Sequence, residues 1–562
     1  MTRFARGMLS MSILGALFGF LGCENEFTNC EARRTCPLGG NTGKGGSPGD
    51  SGAGGAAEGG AQATSGGRSA AGGSVSLGSG GQIADAGAGG EAGNAGAGGA
   101  GDGCNALASP GVEPCVATNA HALFVAPNGS DTNAGTRERP LKTLTRAVEV
   151  ASLTPEKAII ACNAAFRESL VIGAAVRIYG GFGCPGTNAP WTYQPGTAAV
   201  LAPKSSGPAL SIVDVASDVV IEDMEVLTED AIEPSSSSIA VAVVRSSSVA
   251  FRRTKITAGR GADGAHGAHG EKGANGVETR ALQQGADATC TPPAPASGFP
   301  AVDGACGSKG GWGAYGSIGA GGPGETGEPL TSGDAPNHGE AGTDGKPGRS
   351  GEPGKAGEIA RDAGTFSDAG YTPGPSGGAG TEGTTGQGGG GGGASDGISD
   401  LGCIGAGGGA GGMGGCGGKG GKGGAAGGAS IALLMWDANV SLEACKLVAS
   451  DGGVGGKGGD GGAAGLGQPG GLGGAEYVGT ISTIKKGGNG GPGANGGAGG
   501  PGAGGMGGPS LGVVVHGGPP ASDLKTTIQV GKAGPGGVGG NAPLAQAPTG
   551  LDGWTATLWS TN

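Results

Sequence analysis

Two groups of ionisable residues stand thirty positions apart in the chain: Glu222, Asp223 and Glu225, then Arg252, Arg253 and Lys255. Acids and bases on adjacent turns of a repeating structure could form a stripe that binds a sugar chain or cleaves one by proton transfer. The same residues would also make a solvated ladder of cross-strand ion pairs, each worth little. Other chemistry is thin. The five histidines do not cluster with cysteine, no Cys-x-x-Cys occurs, and His266 and His269 read as solvated loop residues. Gly455-Gly-Lys-Gly-Gly-Asp460 looks like half of a calcium-binding nonapeptide, but it occurs once and has Gly where that repeat needs an aliphatic residue. Gly-x-Gly-x-x-Gly carries no information in a chain with 141 Gly. The sequence therefore assigns no catalytic residue, no metal ligand and no cofactor.

The elements that would position the charged groups are repeats. Val219-Val-Ile221-Glu-Asp-Met224-Glu-Val226 returns as Val249-Ala-Phe251-Arg-Arg-Thr254-Lys-Ile256 and as Val440-Ser-Leu442-Glu-Ala-Cys445-Lys-Leu447, with a looser copy over Leu524–Val530. Short apolar strands lie upstream of three copies, at Ile239–Val244, Ile431–Trp436 and Leu511–Val515. Alternating residues, a kink and a second strand describe one turn of a β-solenoid, in which each turn buries its apolar face on the next. A β-sandwich is the other arrangement of such strands, but a thirty-residue period suits a coil better than hairpins.

The most specific stretch is Ala122–Ala151. It holds a short strand, the loop Val125-Ala-Pro127-Asn-Gly129-Ser-Asp131, the run Gly135-Thr136 to Pro140 and Thr143 with Pro140 at a helix start, and apolar residues at Leu141, Leu144, Ala147, Val148 and Ala151 with helical spacing. This stretch resembles the N-terminal signature of pectin-lyase-like right-handed β-helix proteins, in a branch of unknown function. Phe166–Ile172, Val176–Phe182 and Trp191 also resemble rungs of that family. The resemblance spans about residues 120–260. It implies an all-β right-handed parallel β-helix with a helix over one end, and many such proteins are polysaccharide lyases or hydrolases. It brings no known catalytic motif with it.

Between the later copies, glycine falls on every third residue: Gly487 to Gly508, Gly405 to Gly423, Gly374 to Gly392, Gly339 to Gly357 and Gly261 to Gly276. Three is the period of an extended polyproline-II-type helix. Three states fit it: a bundle of polyglycine-II helices pairing backbone to backbone, a collagen triple helix, or a disordered glycine-rich loop. Collagen fits poorly because the runs are short, poor in Pro and interrupted by β-turns. The composition resembles the glycine-rich PGRS repeat proteins of bacterial surfaces, without their separate PE domain.

Residues 1–22 read as an export signal: Arg3 and Arg6, then an apolar run from Met8 to Leu21 that is too short to span a bilayer. The run ends in Phe20-Leu21-Gly22-Cys23, which resembles the lipobox of bacterial lipoproteins and makes Cys23 the lipidation site. The alternative is an ordinary cleaved signal. Glu24 rather than Asp after that Cys favours the outer membrane. Twelve cysteines suit an oxidising compartment, and near neighbours pair as Cys30–Cys36, Cys104–Cys115, Cys162–Cys184, Cys290–Cys306 and Cys403–Cys416, with Cys445 left over.

The organisation expected is a signal (1–22), a Gly-rich tether (23–103), the first β-helix part (104–258), a Gly-rich insertion (259–429), a β-helix turn (430–450), a second insertion (451–509) and the last turns (510–562). With 141 Gly, 33 Pro and 4 % aromatic residues in 562, the chain cannot be one large ordinary globular enzyme. A net charge of −12 excludes a nucleic-acid partner. The role expected is non-enzymatic and structural or adhesive at the cell surface. A membrane, through the lipid anchor, and polysaccharide or other surface components are the partners. The alternative is a carbohydrate-binding or polysaccharide-degrading β-helix protein.

Overall fold

The computed structural model describes residues 103–561, apart from 106, 185–190, 278–282, 292–303 and 331–334. Cys23, Cys30 and Cys36, with the signal and most of the tether, lie outside the described residues. The described chain is mostly β. It threads three parallel sheets in rotation. The first sheet holds Ala122–Val125, Ala158–Cys162, Val176–Gly183, Val219–Glu222, Val249–Arg252, Val440–Glu443 and Ala521–Ser522, with Thr192–Tyr193 antiparallel beside Val176–Gly183. The second runs Ala165–Phe166, Ala199–Leu201, Met224–Leu227, Lys255–Ala258, Lys446–Ala449 and Thr527–Gln529. The third runs Leu170–Ile172, Leu210–Val213, Ser238–Val244, Ser430–Trp436, Ser510–His516 and Thr555–Thr561.

The sequence repeat is the structural register. Val219 pairs Val249 and Val249 pairs Val440; Phe251 lies between Ile221 and Leu442; Val226, Ile256, Leu447 and Ile528 form another column. These columns point inward and stack in one buried core. Three successive turns kink on single non-glycine residues with positive φ: Asp223, Arg253 and Ala444 between the first and second sheets, and Asp214, Arg245 and Asp437 between the third and first. The helix Leu144–Leu153 packs on the first strands through Leu144, Ala147, Val148 and Ala151. Its N-terminus is fixed by the Thr143 cap and by Glu168, whose carboxylate accepts from the amides of Leu144 and Thr145.

Every glycine-rich excursion leaves after a second-sheet strand, at Ala258, Ala449 or Gln529, and returns at a third-sheet strand, at Ser430, Ser510 or Thr555. The last of these, residues 530–554, lies inside the stretch that the sequence groups with the final turns. Buried serines lock this corner. Ser430 Oγ donates to the Gly259 carbonyl and accepts from the Ser450 amide; Ser510 Oγ donates to the Ser450 carbonyl and accepts from the Gly531 amide.

The excursions form one lattice of extended segments that hydrogen-bond to each other at every third residue. Gly380, Gly383, Gly386, Gly389 and Gly392 donate to the carbonyls of Gly421, Gly418, Gly415, Gly412 and Gly409. Gly412, Gly415, Gly418 and Gly421 donate onward to Gly491, Ala494, Gly497 and Gly500. The number of glycines per triplet follows the number of neighbours. Gly388–Gly393 is glycine at every position because a Cβ there would come closer than 3.0 Å to backbone on all three sides: Lys309, Gly491 and Asn337, then Trp312, Gly488 and Glu340. Outer segments need one Gly in three, and their other positions carry side chains. Amides left over at the rim are capped by side-chain acceptors spaced by threes: Asp263, His266, His269 and Asn275 accept from the amides of Val454, Lys457, Asp460 and Leu466. His266 and His269 are exposed, as the sequence suggests, and each also caps a lattice amide.

The structure changes two disulfides. Cys104 pairs Cys115 and Cys162 pairs Cys184, but Cys290 pairs Cys403 and Cys306 pairs Cys416, not Cys290–Cys306 and Cys403–Cys416. Lattice neighbours are remote in sequence: Thr289 bridges Ile404, and Ser308 Oγ accepts from the Gly414 amide. Each of these bonds closes a loop of more than 100 residues, a constraint on the unfolded chain of about 4–5 kcal/mol. Cys445 is free and buried.

Candidate functional site on the first sheet

Glu222, Asp223, Glu225, Arg252, Arg253 and Lys255 do come together, through the pairings of Glu222 with Arg252 and Glu225 with Lys255. Glu222 faces outward from the first sheet yet has 0 % exposure. The loop closed by Cys104–Cys115 covers it: Ser109 Oγ donates to Glu222, and Tyr179, beside Glu222 in the sheet, donates to the Ala108 carbonyl. Arg253 bonds Glu222 and also Asp223, at 2.9 Å. Arg252 lies 3.6 Å from Glu222 and 3.4 Å from Glu443. Lys255 meets Glu225 at 2.6 Å. Tyr193 donates to Asp223 at 2.7 Å.

Each acid thus has a base or a phenol against it. Tyr179, Tyr193 and Ser109 escaped sequence reasoning because they come from earlier turns and from the covering loop, with no repeat to mark them. Glu222 Oε2 has no hydrogen-bond partner among the described residues, although Arg252 stands nearby. Burial, then the bond to Asp223, pushes the Tyr193 phenol up to about 12; burial, then the charge of Glu222, pushes Tyr179 up. Both are donors at neutral pH, not bases. A groove of about 440 Å³ runs alongside, lined by Leu107, Arg177, Asp218, Ser248 and Arg252. Arg177 is already bound to the carbonyls of Pro155 and Glu156. The arrangement can hold a polar molecule, but it brings no pair of accessible carboxylates together.

Two outcomes follow. Arg253→Ala removes the guanidinium shared by two buried carboxylates, leaving Glu222 to Ser109 and the more distant Arg252 and Asp223 to Tyr193, and should cost about 1–3 kcal/mol, whereas Lys255→Ala breaks a half-exposed pair and should cost under about 1 kcal/mol; chemical denaturation separates them. Tyr193 has a folded pKa raised above its ordinary 10. Its contribution is therefore full below pH 10 and lost as pH rises through about 12. Tyr193→Phe should remove that loss, together with the phenolate absorbance component titrating there.

No family model and no curated protein matches the chain. Among solved structures it is similar to the GH136 lacto-N-biosidase from Eubacterium ramulus, with 14 % identity over 24 % of this chain and 27 % of that one and a TM-score of 0.19. It is also similar to a rhamnogalacturonan lyase, with 12 % identity over 25 % of this chain and 36 % of that one and a TM-score of 0.17. The chain spans about a third or less of the length of these proteins.

Proposed function

We propose that this protein is an exported, lipid-anchored, non-enzymatic component of the cell surface with a structural or adhesive role. In this reading a right-handed parallel β-helix is the platform, and the glycine-rich excursions are a polyglycine-II lattice standing on one of its corners. The observation that carries the reading is the backbone pairing at every third residue, which turns three excursions into one body. Such a lattice satisfies its amides and carbonyls without an apolar core, and four disulfides among the described residues suit an exterior location. The sealed charge ladder supports a structural role over catalysis. The groove beside Arg252 supports a second reading, carbohydrate binding on the first sheet, and is the place to look for it.

Anchoring is tested through Cys23. Cys23→Ala should leave the protein unprocessed or released from membranes. A variant that still takes up palmitate and fractionates with the outer membrane would contradict the proposal. Protease shaving of intact cells tests surface display: the β-helix and lattice should be reached from outside, and full protection would place the protein elsewhere.

A further inference from the structure

Residues 531–541 occupy a lattice track between two longer segments. The amides of Gly452, Gly455, Gly458 and Gly461 donate to Lys532, Pro535, Val538 and Asn541, while Gly534, Gly537 and Gly540 donate to Gly508, Gly505 and Gly502. At Asn541 the chain turns back through the hairpin Asn541–Ala542/Ala545–Gln546, but both flanking segments run on. Beyond the turn, among the described residues, no donor reaches the carbonyls of Gly490, Gly493, Gly496 and Gly499, and the amides of Ala464 and Gly470 find no acceptor. The intervening amides of Gly467 and Gly473 are held by the side chains of Asn495 and Asn489. The rim changes too. Along the filled half it carries Val454, Lys457 and Asp460; along the open half it carries Leu466 and Leu472, 50 % and 63 % exposed. The open half therefore repeats the hydrogen-bonding pattern of the filled half, with apolar side chains at its edge.

We propose that this open track takes an extended segment with glycine at every third residue from a second copy of the chain, so that neighbouring copies are joined through their lattices. The filled half defines the occupant: a backbone that accepts on one edge, donates on the other, and has no Cβ where Gly534, Gly537 and Gly540 meet Gly453, Gly456 and Gly459. The chain carries such a sequence in Gly40, Gly43, Gly46, Gly49, Gly52 and Gly55, and every copy supplies one. Docking would replace the two Asn side chains by backbone carbonyls and cover Leu466 and Leu472. This inference rests on the lattice reading of the proposed function.

The test is amide hydrogen exchange on the whole protein, at rising concentration and with an added peptide of residues 40–55. The interior amides of Gly459 and Gly462 report the lattice itself and should be slow throughout. Exchange at Ala464 and Gly470 should slow tenfold or more with concentration and with the peptide. A peptide carrying Gly46→Val and Gly49→Val should have no effect, while Ser47→Val should act like the parent. Fast exchange at Gly459 and Gly462 would overturn the lattice and the inference with it. Slow interior amides with Ala464 and Gly470 unresponsive to both additions would overturn the inference alone. So would protection of Ala464 and Gly470 that is complete at the lowest concentration.

Discussion

Gly496→Val should strip the glycine-rich region of its resistance to protease, while Ala498→Val should leave it nearly unchanged. The two positions lie in one run, two residues apart, and differ in what faces them. A Cβ at Gly496 would come closer than 3.0 Å to the carbonyl of Cys416, whereas Ala498 is partly exposed and already carries a methyl group. Overpacking a tight site costs about 1–3 kcal/mol where side chains can shift. Here the obstacle is backbone, and moving it breaks the bonds that Gly415 and Gly418 make to Ala494 and Gly497. The damage should therefore spread to the segments 405–428 and 452–475, read as new cleavage sites there. Equal, rapid cleavage of both variants and the wild type would mean that no such contact exists.

Phe251→Asp should unfold several turns of the coil. Phe251 has 0 % exposure and stacks between Ile221 and Leu442. Truncating such a side chain costs about 3–5 kcal/mol, and a buried unpaired carboxylate adds to that, against a total stability of about 5–15 kcal/mol for an ordinary domain. Because Ser430 and Ser510 tie the excursions to the same coil at the corner between its second and third sheets, the lattice should lose its base as well. Loss of the far-ultraviolet β signal together with protease resistance checks this. A variant with unchanged melting would show that the column does not support its neighbours.

The coil was legible because each turn repeats the same inward pattern: Val219, Val249 and Val440 announce one column, and the helix is marked by its apolar spacing, although it begins at the Thr143 cap rather than at Pro140. The glycine period allowed a polyglycine-II bundle, a collagen helix or a disordered loop, and did not choose among them. Which segments adjoin is a matter of packing, and that is what misled the disulfide assignment. Cys290 and Cys306 are close in sequence yet face Cys403 and Cys416, because neighbours in the lattice come from different passes of the chain. The charged groups were found by their spacing. Their sealing was not, since the cover over Glu222 comes from Ser109, which is 113 residues away and belongs to no repeat.

The central claim is that the glycine-rich excursions are an ordered lattice, and amide exchange along residues 487–508 tests it most directly. Two residues of each triplet donate to neighbouring backbone, as Gly493 and Ala494, Gly496 and Gly497, and Gly499 and Gly500 do, while Asn495 and Ala498 make no such bond. The lattice therefore predicts slow exchange at those pairs and fast exchange at Asn495 and Ala498, a pattern that repeats every three residues. Uniformly fast exchange across the run would contradict it.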